Sequence, residues 1–226
     1  VIRLNTQESS AFVETQGVRA HDFSPLRALW KEQKFNVIRI MCLLAPNAIL
    51  FYMGFVFLPA IMLKVAPSLS SAYVYTVNTA ATVLLLVLCI AFGAVADRCQ
   101  RAVMLRAGFV ISFLLMLPLC YLLGQPNLFL LFGVQVVWAL TVAWVSGPLM
   151  AYILSQIPVA IRYSTAALSL NLVNSVLGGT APLVGVVLFH RTHGFVGMGV
   201  YMMIFIFFAI CSLSGRRKGV FTEKAR

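Results

Sequence analysis

The sequence predicts an all-α membrane protein with six transmembrane helices. Three observations lead there. Of 226 residues, 61% are hydrophobic and only 10% are charged, whereas a soluble domain has about 25% charged residues. The apolar residues gather in six long stretches. The basic residues fall between those stretches in an alternating pattern. Mean hydropathy is +0.95. A soluble globule of this size could not hide so much apolar surface. The composition therefore excludes a water-soluble enzyme, a disordered chain and a nucleic-acid-binding domain. Six spans of about 20 residues use more than half the chain, so little remains for a separate soluble domain.

Residues 1–36 are polar and of mixed charge, with Arg3, Glu8, Glu14, Arg19, Asp22, Arg27, Lys31, Glu32 and Lys34. They read as a solvated segment with no signal peptide. A bundle over 37–213 comes next. Its first span covers 38–63 and is interrupted by Pro46, Gly54 and Pro59. The others cover 72–95, 103–123, 128–155, 164–189 and 195–213. Each is long enough to cross a hydrocarbon core of about 30 Å. A backbone in lipid must satisfy its own hydrogen bonds, so the spans must be helices. None shows the ten-residue alternation of a membrane barrel strand. Residues 214–226 form a basic tail.

The connections set the expected orientation. Fifteen of the 17 Lys and Arg residues fall on one face and only Lys64 and Arg191 on the other. By the positive-inside rule both termini are cytoplasmic. The net charge of +11 thus reads as topology and not as affinity for nucleic acid. The loops on the other face are too short for an external binding domain. Cys42, Cys89, Cys99, Cys120 and Cys211 form no CxxC pair, and His is too sparse for a metal cluster. Neither disulfides nor a metal nor a cofactor is expected.

No Asp or Glu lies inside a span, although an intramembrane carboxylate is the usual proton or cation site. Polar residues do occur there: Asn47 and Tyr52; Tyr73, Tyr75, Asn78 and Thr79; Gln135, Trp138, Thr141, Trp144 and Ser146; and Ser169, Asn171, Asn174 and Ser175. On an ideal fifth helix Asn171, Ser175, Gly178 and Pro182 fall within about 60° of arc, with Asn174 beside them. That face is either a helix-packing stripe or one wall of a polar pathway. Gly178, Gly179 and Pro182 weaken the helix there, and a broken helix can expose backbone groups to a ligand. Trp138 and Trp144 sit mid-span, away from the usual interfacial belt. Their indole N–H groups need partners; stacking on a cation is the other use of such rings. His190, Arg191 and His193 read as a solvated loop or a pH sensor.

The most specific pattern lies between the second and third spans. Gly93 and Asp97-Arg98-Cys99-Gln100-Arg101 end one span and begin the next. The carboxylate of Asp97 lies near the free N–H groups of the third helix, and Arg98 and Arg101 can pair with it or with lipid phosphates. This loop resembles the G-x-x-x-D-R-x-G-R-R signature of the major facilitator superfamily. Gly93, Asp97, Arg98 and Arg101 match; Gln100 replaces the turn glycine and Ala102 the last basic residue. Ile161-Arg162-Tyr163-Ser164, then Asn171, then Gly178-Gly179-Thr180-Ala181-Pro182 is similar to a pattern of the metabolite:proton symporter subfamily. Ile2-Arg3 with Glu8-Ser9-Ser10-Ala11-Phe12 is similar to the run after that subfamily's sixth helix, with Ser10 where proline is usual. The run resembles that of proline/betaine transporters; alpha-ketoglutarate, citrate and shikimate permeases stay open as alternatives.

The resemblance implies one half, helices seven to twelve, of a major facilitator superfamily fold in a bacterial cytoplasmic (inner) membrane. Residues 1–36 would then be the end of helix six and the central loop. It implies proton-coupled symport of a small zwitterionic or carboxylate metabolite by alternating access, with the missing N-terminal six-helix half as partner. Asn47, Tyr52, Trp138, Thr141, Trp144, Asn171 and Asn174 become candidates for the substrate pathway. Gly93, Asp97, Arg98 and Arg101 become the gate, and Arg162 and Tyr163 a loop motif. The proton-coupling carboxylates would lie in the other half. Two alternatives stand beside this transporter, which is not an enzyme. One is a truncated, inactive carrier or structural membrane protein. The other, remote, is an intramembrane serine protease using Ser146 and His190, with Trp144 where that motif has glycine.

Overall fold

The computed structural model describes residues 34–65, 70–125, 128–157 and 159–214. The amino-terminal run Ile2–Phe12 and most of the basic tail lie outside these residues. The described chain is almost wholly helical. Six helices are long and apolar enough to cross a membrane: α1 (Phe35–Val65), α2 (Ser71–Arg98), α3 (Arg101–Leu122), α4 (Leu128–Ser155), α5 (Arg162–Thr192) and α6 (Val196–Ser214). Their number and order are those read from hydropathy.

Two helices are longer than the other four. α1 and α5 each run 31 residues, roughly 46 Å at 1.5 Å per residue. Each contains a π-helical turn, Tyr52–Phe57 in α1 and Asn174–Gly178 in α5. In these turns a backbone N–H reaches back five residues: Leu58 to the Met53 carbonyl, and Gly179 to that of Asn174. Proline comes soon after both, Pro59 in α1 and Pro182 in α5. A proline ring crowds the carbonyl four residues back and removes a donor; a wide turn is one way a helix absorbs this.

The helix ends have local causes. Ser70 caps α2, its Oγ accepting from the Tyr73 N–H at 3.2 Å. Between α2 and α3 only Cys99 and Gln100 are extended, with Gln100 at φ −70° and ψ 111°. That conformation suits any residue, so glutamine serves here without the freedom of glycine. α5 ends at His193, whose φ of 51° is the left-handed cap conformation and whose N–H bonds the Phe189 carbonyl.

α1 and α4 form the centre of the bundle. In their most apolar stretches they are 61% and 50% buried, against 17% for α2 and 22% for α5. α2 packs along α4 as α5 packs along α1; α3 packs on α4 as α6 packs on α1; α3 and α6 pack on each other. Exchanging the first three helices for the last three therefore preserves the packing pattern. Because α1 starts at the end carrying Arg39 and α4 finishes there, the two triplets run in opposite directions. At that end the Arg39 Nε donates to the Ser212 carbonyl at 3.0 Å, tying α1 to α6.

α2 and α4 approach closely at two glycines. A Cβ on Gly147 would lie 2.8 Å from the Gly93 nitrogen and 2.9 Å from the Cys89 carbonyl oxygen. A Cβ on Gly93 would come no closer than 3.7 Å to the Gly147 oxygen. Gly147→Ala is therefore expected to force the helices apart and to cost about 1–3 kcal/mol, while Gly93→Ala is close to neutral. Unfolding midpoints of the two variants in detergent check this; equal midpoints would contradict the contact.

Candidate functional site

Two hydrogen bonds join α1 to α4. Ser146 Oγ donates to Asn47 Oδ1 at 2.6 Å. Further along, Trp138 Nε1 donates to the Leu50 carbonyl at 3.0 Å, and Thr141 Oγ1 donates to the Trp138 carbonyl at 2.8 Å. The Trp138 ring lies against Gly54, where an added Cβ would sit 2.3 Å from Nε1. Glycine in the π turn thus lets the indole reach the α1 backbone.

This arrangement revises part of the expected pathway. Trp138 is 0% exposed and Thr141 1%. Both side chains are sealed among the six helices and pack there, with no surface open to a ligand. The sequence does not reveal this because the depth of Trp138 is set by Gly54, 84 positions away. Trp144 is half-buried. Its indole donates to the Met104 carbonyl at 3.2 Å, and its ring stacks on Phe92 at 5.0 Å and 27°. Gly108 makes room for it, a Cβ there falling 2.8 Å from the Trp144 ring. Both indole N–H groups are therefore used by backbone carbonyls.

The expected face of α5 does not survive as one face. Asn171 and Ser175 are exposed, Asn174 and Pro182 are half-buried, and Gly178 is buried. Tyr52 fills the space over Gly178, where a Cβ would lie 2.6 Å from its ring. The cause is the π turn: an extra residue rotates the rest of the helix by about 100° relative to an ideal one. Residues on either side of the turn that would share a face of an ideal helix thus diverge. Tyr52 begins the π turn of α1 and Gly178 ends that of α5, so the two wide turns meet. Gly179 is exposed.

At the basic end Arg101 Nη2 lies 2.7 Å from Asp97 Oδ1. The pair bridges the last turn of α2 and the first residue of α3 across the two-residue break. Both side chains are substantially exposed, so the pair adds little stability by itself. Arg98 is exposed and makes no ion pair among the described residues. Gly93 lies one turn earlier, against α4. Arg162 is half-buried and its Nε donates to the Ile157 carbonyl at 3.2 Å; Tyr163 is 87% exposed.

Ser146 and His190 are not brought together. Ser146 is 18 residues along α4 from Leu128, roughly 27 Å from the end at which His190 sits, and its hydroxyl is held by Asn47. His190, Arg191 and His193 are exposed, as a solvated turn requires. All five cysteines are free.

One polar group is not apparent from the sequence. Asn78 Nδ2 donates to the Phe55 carbonyl at 3.2 Å, and Gln135 Nε2 donates to Asn78 Oδ1 at 2.9 Å. The signal was present in Pro59. It has no N–H, so it leaves the carbonyl four residues back without a helical donor.

No protein-family model, curated protein or solved structure matches the chain.

The sealed indole yields a test. Trp138→Phe keeps a ring over Gly54 but leaves the buried Leu50 carbonyl without its donor. A loss of about 1–3 kcal/mol in stability is expected, read from denaturant or thermal unfolding of the purified protein. An unchanged midpoint would show that the hydrogen bond contributes nothing.

Proposed function

We propose that this chain is the C-terminal half of a secondary active transporter of the major facilitator type. The complete carrier moves a small zwitterionic or carboxylate metabolite together with a proton by alternating access. The observation that carries this reading is the inverted internal repeat. Two three-helix units of opposite direction, packed alike, are the architecture on which such carriers place a midplane site between rocking bundles. The motifs Gly93–Arg101 and Arg162–Pro182 support the assignment independently of the repeat.

Burial supports the same reading. The two least-buried helices, α2 and α5, occupy equivalent places in the repeat. Both present polar groups at exposed positions, Tyr75 and Thr79 in the first third of α2 and Asn171 and Ser175 mid-span on α5. Polar groups facing hydrocarbon are costly, so these helices suit contact with a second half-bundle or a watery pathway. Asn47, Tyr52, Trp144, Asn171 and Asn174 keep accessible surface and remain the substrate-facing candidates in this proposal. In it Asp97 and Arg101 brace the α2–α3 connection, and Arg98 engages the other half at the gate. By the charge distribution this end is cytoplasmic, in a bacterial inner membrane.

The experiment is uptake of labelled proline, betaine or alpha-ketoglutarate by the complete protein in proteoliposomes with an imposed proton gradient. Gradient-dependent accumulation of at least one substrate is expected; uptake that ignores the gradient defeats the symport reading. Asp97→Ala is expected to lower uptake per folded molecule more than it lowers expression. If uptake per folded molecule is unchanged, the gating role is wrong.

A further inference from the structure

Gln135, Asn78 and the Phe55 carbonyl form a hydrogen-bonded chain across α4, α2 and α1. Its direction is fixed from one end. The Phe55 carbonyl can only accept, so Asn78 must turn its Nδ2 towards it. Asn78 Oδ1 then faces Gln135, and Gln135 must present Nε2. Turning either amide around would set oxygen against oxygen. Gln135 Oε1 is thereby left as a free acceptor at the end of the chain. The residue is 2% exposed and this oxygen has no partner. An unsatisfied buried acceptor costs about 1–3 kcal/mol.

Gln135 also lines a small, partly open cavity of about 10 Å³ between the same three helices. Among the described residues it contributes the one polar side chain there; Leu58, Met62, Val74, Val77 and Leu131 line much of the rest. These facts define the occupant. It must donate, because Oε1 can only accept. It must be neutral, because apolar walls offer no counter-charge and a buried ion among them is prohibitively costly. It must have the size of water, because the volume holds about one such molecule.

We propose that Gln135 Oε1 is the binding site of a single resident water. The water donates to Gln135, Gln135 to Asn78, and Asn78 to the carbonyl that Pro59 leaves free. Hydration of the cavity is thereby coupled to the position of the α1 segment Leu58–Val65. Gln135 lies seven residues in from Leu128, roughly 10 Å below the end of α4.

Hydroxyl-radical footprinting of the complete protein in lipid nanodiscs tests this, because a bound water yields radicals beside its neighbours and methionine is readily oxidised. Met62 lines the cavity at 5% exposure; Met53, on the same helix at 0%, is the internal control. Met62 is expected to be oxidised several-fold faster than Met53. Val77→Leu fills the cavity and is expected to abolish the excess, as is Gln135→Leu, which removes the acceptor. If Gln135→Leu does not fold, Val77→Leu decides. Equal rates at the two methionines in the unaltered protein, or an excess that survives Val77→Leu, overturns the proposal.

Discussion

Hydrocarbon offers no hydrogen bonds, and that constraint organises this bundle. Every backbone carbonyl that a helix fails to satisfy must find a donor from a neighbouring helix. Prolines at positions 46, 59, 118, 148 and 182 stand inside helices, and each removes one donor. At Pro59 the consequence is visible: Asn78 of α2 supplies the bond that α1 cannot make. The indoles of α4 also donate across helices, Trp138 to the Leu50 carbonyl of α1 and Trp144 to the Met104 carbonyl of α3. Side-chain donors thereby join α1, α2, α3 and α4 through backbone oxygens. Such contacts specify register, because an amide or indole N–H reaches one carbonyl and not the next. Close packing at glycines supplies the rest, since dispersion in lipid rewards helices that approach closely.

The division of burial stems from this centre. α1 and α4 supply most of the interhelical polar contacts and are the most buried helices. α2 and α5 each pack against one of them and leave their other sides open. The polar groups consequently sort into two kinds. Trp138 and Thr141 are sealed and serve the fold; Asn171 and Ser175 lie on an open face. Only the second kind can meet a molecule from outside the six helices.

The six helices were legible because apolar runs, breaks and basic loops are local features of the sequence. The partnership of Asp97 was partly legible: two arginines stand within four residues of it, but the extended Cys99–Gln100 break, and not a helical turn, brings Arg101 to it. Other features were hidden for physical reasons. The burial of Trp138 depends on Gly54 of another helix, a pairing that no single-segment periodicity contains. The grouping of Asn171 with Gly178 failed because helical-wheel angles assume a constant twist, and α5 changes its twist between the two. Asn78 and Gln135 were recognised as polar residues within spans, but their connection needed the deficit at Phe55, which is a statement about backbone and not about side chains.

The paired wide turns of α1 and α5 also bear on how this chain tolerates change in length. A π turn is geometrically an α-helix carrying one supernumerary residue. Removing a residue within Tyr52–Phe57 or Asn174–Gly178 would return that stretch to ordinary α geometry and swing everything beyond it by about 100°. Because Tyr52 rests on Gly178, a deletion in one helix would leave its neighbour's surplus unmatched. Lineages of this bundle should therefore gain or lose the two residues together. Aligned descendants would show a pair of correlated single-residue gaps, some 120 positions apart in the sequence, at the level where the two helices cross.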